Sequence, residues 1–71
     1  MSYAGVRDFY LSRIKASRQY GLYQGQILLN MVERAALEDS MVTIEEFSDI
    51  IKQCRIARIQ LLEDDFNEGF K

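Results

Sequence analysis

The sequence contains no histidine, no proline and a single cysteine, Cys54. Each absence closes off a class of protein. Without histidine there is no side chain whose ordinary pKa lies near neutrality, so general acid–base chemistry has poor raw material. The common zinc donor sets are missing for the same reason. One thiol cannot form an intramolecular disulfide. No proline interrupts the chain. No apolar run approaches the roughly 18 residues of a membrane span. The opening MSYAGVRDFY lacks the continuous apolar stretch of a signal peptide. These absences and the lone thiol fit a cytoplasmic setting with no membrane.

What remains is 71 residues, enough for one small domain over 1–71. At this size roughly 60% of the unfolded chain's surface is buried on folding, and small folds recruit disulfides, metals or partner chains to compensate. Here partner chains are the help left over. Apolar residues make up 48% of the sequence and aromatics 11%, which supplies the material for a core. The net charge of −2 is small, but its distribution is uneven. Residues 1–30 carry Arg7, Arg13, Lys15 and Arg18 against Asp8, a net of +3. Residues 31–71 carry five basic and ten acidic groups, a net of −5. The acidic excess is densest at Glu63, Asp64, Asp65 and Glu68.

Three segments have helical periodicity and none has sustained strand alternation. The first spans about residues 3–20, with Ser2 as N-cap and Gly21 as a left-handed stop. Tyr3, Val6, Tyr10, Ile14 and Ser17 share its apolar face, flanked by Phe9 and Leu11. The second spans about 22–38, with Leu28, Met31, Val32 and Ala35 as its face and Ile27 and Ala36 beside it. Gly25 weakens its first turn by about 1 kcal/mol relative to alanine. The third spans about 44–66. Thr43-Ile44-Glu45-Glu46 is a capping box, with Val42 and Phe47 placed as a hydrophobic staple. Glu45, Glu46 and Asp49 suit the positive end of the helix dipole. Phe47, Ile50, Ile51, Cys54, Leu61 and Leu62 form the apolar face, with Ala57 at its edge. Arg58 falls within that face, its stem packed and its head in water.

The end of the chain, CRIARIQLLEDDFNEGFK, does not fit this stripe. At about 100° per residue, Ile56 lies nearly opposite it, and Ile59, Phe66 and Phe70 cluster with Ile56 on a second side. Their spacing is heptad-like, with Glu63 in the gap. If the helix continues to about Phe70, it spans roughly 40 Å, more than its neighbours can cover. Its far half then overhangs and exposes an apolar strip, the mark of an interaction site or oligomer interface. The other arrangement breaks the helix near Glu63 or Asp64, where carboxylates oppose the dipole. Phe66 and Phe70 then fold back onto the core, and Ile56 and Ile59 meet the first helix. In a dimer, the basic first helix of one chain meets the Glu63–Glu68 cluster of the other, a contact that salt would screen.

Chemistry-bearing constellations are few. Cys54 lies on an apolar helical face and reads as a buried, inert thiol. The adjacent carboxylates Asp64 and Asp65 do not converge on a point. They read as a solvated terminus or a docking surface for a basic partner. Residues 39–46 lack the alternating oxygen ligands and central glycine of a calcium loop. Gly21 and Gly25 lack the lysine and hydroxyl of a phosphate loop. Nucleic acid is the rival reading. Arg7, Arg13, Lys15 and Arg18, with Gln19, Tyr20, Tyr23 and Gln24 nearby, are of the types that contact phosphates and bases. The second and third helices, joined by a short turn, read as a helix-turn-helix, but its recognition helix would open with Glu45, Glu46 and Asp49, where phosphates are repelled, and the cations do not share one face.

Gly21-Leu22-Tyr23, then Leu28 and Val32, then Val42-Thr43-Ile44-Glu45-Glu46-Phe47 with Ile50, resembles a short helical family encoded in phage tail modules. That family has a G-L-Y turn, a helix and an I-T-x-E-x-Y/F helix start. The resemblance covers about residues 20–51, with a longer segment here between the two landmarks. It implies a phage or prophage accessory protein and transfers no catalytic residue.

The sequence therefore predicts an all-α, three-helix domain with a long C-terminal helix, self-associating and without a cofactor. The expected function is non-catalytic: a small interaction or regulatory protein that binds itself or another protein. Its contact residues are Ile56, Ile59, Phe66 and Phe70, with Glu63 and Asp64 setting charge preference. The alternative is a nucleic-acid-binding regulator using Arg7, Arg13, Lys15 and Arg18.

Overall fold

A computed structural model describes residues 5–69; Ser2, Tyr3 and Phe70, which the sequence reading used, lie outside them. The fold is an all-α bundle of three helices: α1 (Val6–Ala16), α2 (Leu22–Glu38) and α3 (Ile44–Glu68). A single 3₁₀ turn, Ser17–Gln19, closes α1. No described helix is long and apolar enough to cross a membrane.

The direction of each helix follows from its cross-links. Tyr10 of α1 reaches Ala35 and Asp39 at the far end of α2, so α1 and α2 are antiparallel. Arg7 pairs with Asp49, and Arg18, just past α1, pairs with Asp64, so α1 and α3 run parallel. The core is Tyr10 and Ile14 from α1, Leu29, Val32 and Ala36 from α2, and Ile50, Cys54, Ala57 and Leu61 from α3. Ser17, also fully buried, donates its hydroxyl to the Ile14 carbonyl oxygen at 2.6 Å, which leaves no polar cost for its position.

Local chemistry explains where the helices begin. The Thr43 hydroxyl accepts from the Glu46 backbone N–H at 3.1 Å, and the Glu46 carboxylate accepts from the Thr43 N–H at 3.0 Å. Both halves of the capping box are thus formed, and Val42 and Phe47 each pack, partly buried, against the core. The other two starts depart from expectation. Gly5 is the N-cap of α1 and supplies no side-chain bond. Gly21 is not a left-handed stop: at φ −69°, ψ 172° it is the extended N-cap of α2. The chain leaves the 3₁₀ turn through extended Tyr20, so no positive φ is needed there.

The apolar face of α2 is rotated from the sequence expectation. Leu29, which the periodicity left out, is 0% exposed, whereas Met31 is 62% exposed. Ala35 and Ile27 are also exposed, and Leu28 is half-buried. The centreline is Gly25–Leu29–Val32–Ala36. α3 is turned the same way: Ala57 sits in the core rather than at its edge, and Leu62 lies outside it. Small residues mark where helices approach most closely, and a reading weighted by large apolar side chains is drawn to the shoulders instead.

Gly25 is the clearest of these approaches. A Cβ there would lie 2.7 and 2.9 Å from the two methyls of Leu61 and 3.0 Å from the Ser17 carbonyl oxygen. Leu61 is itself buried, so its methyls have little room to swing away. Alanine gains about 1 kcal/mol of helix propensity, and overpacking costs about 1–3 kcal/mol. Gly25→Ala is therefore expected to lower the urea midpoint; a rise would show that the α2–α3 contact has slack.

Candidate functional site

α3 resolves the two arrangements left open at the end of the chain. It runs unbroken through Glu63, Asp64 and Asp65 to Glu68, 25 residues in all. Arg18 offsets part of the unfavourable carboxylate charge, its Nη2 standing 3.1 and 3.0 Å from the two Asp64 oxygens. Both side chains are close to half exposed, which holds this pair to about 0.2–1 kcal/mol. Nor does half of α3 overhang. The start of α2 reaches it, with Gly25 against Leu61 and Gly21 and Leu22 sharing a groove with Asp64, Asp65 and Glu68. Exposure on α3 follows from the direction a residue faces.

The proposed interface residues separate on this basis. Ile56, 39% exposed, borders a shallow groove with Leu11, Lys15 and Arg18, and so sits on the α1 shoulder. Asp64 is tied to Arg18. Ile59 is 54% exposed and Phe66 64%, both facing away from the core. Leu62, expected inside, is 52% exposed and lies between them. The outward strip is thus Ile59–Leu62–Phe66, with steps of three and four residues. These are the positions that pack in a helix–helix seam. Sequence reasoning missed Leu62 because it assigned the residue to the core face. Lys52, Arg55 and Glu63 border the strip, all exposed and without an ion pair among the described residues.

The basic flank of α1 is largely engaged within the chain. Arg7 lies 3.2 Å from Asp49, and Arg18 lies against Asp64. The Arg13 guanidinium sits over the Phe9 ring, 4.6 Å from its centroid. Lys15 is exposed on the outer side. A phosphate would have to displace a carboxylate at Arg7 and Arg18. The contact expected between a basic first helix and an acidic third helix is therefore made inside one chain.

Arg58 is held more firmly than a snorkelling side chain. It lies 2.8 Å from Glu33 and donates to the Asn30 amide oxygen at 2.7 Å, joining α3 to α2. Below it, burial is the main cause that pushes the Cys54 thiol up to about 11, with Glu33 adding to the shift. The thiol is thus protonated at neutral pH and closed to reagents. No three cysteine or acidic side chains among the described residues are grouped to hold a metal ion.

One polar element went unread in the sequence. Asp39 accepts the Tyr10 hydroxyl at 2.7 Å and the Met41 backbone N–H at 2.9 Å, tying the α2–α3 turn to α1. The signal was an aspartate two residues before a free N–H, the usual Asx-turn arrangement. The Tyr10 bond, with help from Met41, holds the Asp39 carboxyl below its ordinary value. The same bond, followed by burial, raises the Tyr10 phenol. A lowered acid stabilises the fold above the unfolded carboxyl pKa, about 3.9, and that contribution is lost as pH falls through the folded value. A raised phenol stabilises it below about 10, and that contribution is lost as pH rises through the folded value. The stability difference between wild type and Tyr10→Phe should be flat between about pH 5 and 9 and shrink at both ends. Urea titrations across pH would read it; a difference that persists at pH 2 would exclude this coupling.

Comparison of the chain with family models, with curated proteins and with solved structures returned no match.

Proposed function

We propose that this protein is a non-catalytic helical interaction module that self-associates through the outer face of α3. One observation carries the reading: Ile59, Leu62 and Phe66 present large apolar side chains, each more than half exposed, at seam spacing on the face opposite the core. Scattered exposed apolar residues are ordinary on a small protein, but three in register along one helix make a packing surface. The chain's own chemistry agrees with a role without catalysis. The thiol is buried and protonated, and the sequence has no histidine. The resemblance of residues 20–51 would set such a module among phage or prophage accessory proteins, where its role would be regulatory or architectural. The test is the solution mass of wild type and Leu62→Glu: dimeric wild type and a monomeric, fully helical variant support the reading, and wild type that is monomeric throughout removes it.

A further inference from the structure

The outer face of α3 carries charges of both signs. Lys52 and Arg55 lie before the apolar strip, between Glu45 and Glu63, and Glu63 lies within the strip; Asp65 and Glu68 stand instead in a groove beside Gly21 and Leu22 at the start of α2. Lys52, Arg55 and Glu63 are all exposed, and none is in an ion pair among the described residues. A second α3 laid parallel and in register would set each of these groups beside its own kind. Laid antiparallel, it would set Arg55 of each copy within reach of Glu63 of the other.

Building on the self-association proposed above, we infer that the outer face of α3 is covered by a second copy of this chain, with the two α3 helices antiparallel and the two-fold axis between Ile59 and Leu62. Ile59 of each copy then packs on Leu62 of the partner subunit, the alternation that antiparallel seams require. Arg55 lies opposite Phe66 of the partner subunit and within reach of Glu63 of the partner subunit. Every such contact occurs twice, as a two-fold axis dictates. Like-charge juxtaposition penalises the parallel alternative, so charge sets the direction while the apolar strip supplies the attraction.

Two measurements on the full chain test the orientation. The first is a nitroxide at Ser48→Cys, on the outer face of α3; Cys54 is fully buried and stays unlabelled. The antiparallel axis separates the two labelled positions by about 25 residues of helix, roughly 37 Å. A parallel pair brings them to roughly the 10 Å between helix axes. The second is charge exchange. Arg55→Glu should raise the dimer dissociation constant about tenfold or more, and adding Glu63→Arg should restore most of the affinity. A long label separation together with this loss and rescue is the expected result. A dimer with a short separation, or one indifferent to Arg55→Glu, overturns the antiparallel arrangement and leaves self-association standing. Wild type that is monomeric at every concentration overturns both.

Discussion

Leu29→Ala is expected to leave most of the protein unfolded in buffer, while Met31→Ala leaves it folded. Leu29 is fully buried at the centre of α2, between Tyr10 and Ile14 of α1 and the core residues of α3. Removing a buried leucine side chain costs about 2–5 kcal/mol, from lost transfer energy and the cavity left behind. A single core in a chain of this length rarely supplies more than about 3–5 kcal/mol. The loss is therefore comparable to the whole stability. Met31, three-fifths exposed, has little to lose, and its substitution should fall within about 0.5 kcal/mol of wild type. Far-ultraviolet circular dichroism and a urea titration of the two variants decide between the rotation of α2 described here and the one its large apolar residues suggest. The reverse ranking would mean that α2 turns its Leu28–Met31–Ala35 side to the core.

Leu62→Glu is expected to abolish self-association without unfolding the chain. Leu62 is half exposed in the single chain, so a carboxylate there stays hydrated when the protein is alone. In the proposed dimer the same carboxylate would lie against Ile59 of the partner subunit, and the symmetry would repeat the penalty. Each lost leucine contact is worth about 1.5–3 kcal/mol at full burial. Two partial losses plus two desolvated charges should weaken the dimer about a hundredfold or more. Helicity and the urea midpoint of the monomer should stay near wild type. If Leu62→Glu were instead to unfold the chain, Leu62 would belong to the core, as the sequence alone suggested.

How much of this was legible in the sequence depends on which force sets each feature. The three helices were legible because their signals are local: apolar periodicity, the Thr43–Glu46 box and the loop at residues 39–42. The rotation of α2 and α3 was not. In a three-helix bundle each helix faces two neighbours, so the apolar sector is broad and its centre is set by close approach. The markers of that approach are Gly25, Ala36 and Ala57, which carry little hydrophobic weight. Gly25 was read as a weakness in α2, whereas it is the point where α2 meets Leu61.

The candidate site was half legible for the same reason. Ile59 and Phe66 were placed on the outer face because they lie far from any choice of core centre. Ile56 and Leu62 lie on opposite shoulders, where a small rotation exchanges inside and outside. The continuity of α3 through four carboxylates was hidden as well, since the compensating Arg18 is 46 residues distant from Asp64. Local dipole arguments see the carboxylates and miss the cation that the fold delivers. The Tyr10–Asp39 bond, 29 residues apart, was unreadable on the same ground.

Light scattering of the wild-type chain over a dilution series addresses self-association most directly. A strip of three apolar residues per copy makes a small interface, so the dissociation constant should be on the order of micromolar, equivalent to about 8 kcal/mol. The mass should rise from 8.3 kDa toward twice that value across the micromolar range, while that of the Leu62→Glu variant stays at the lower value. A wild-type mass that stays at 8.3 kDa up to about millimolar concentration would contradict self-association.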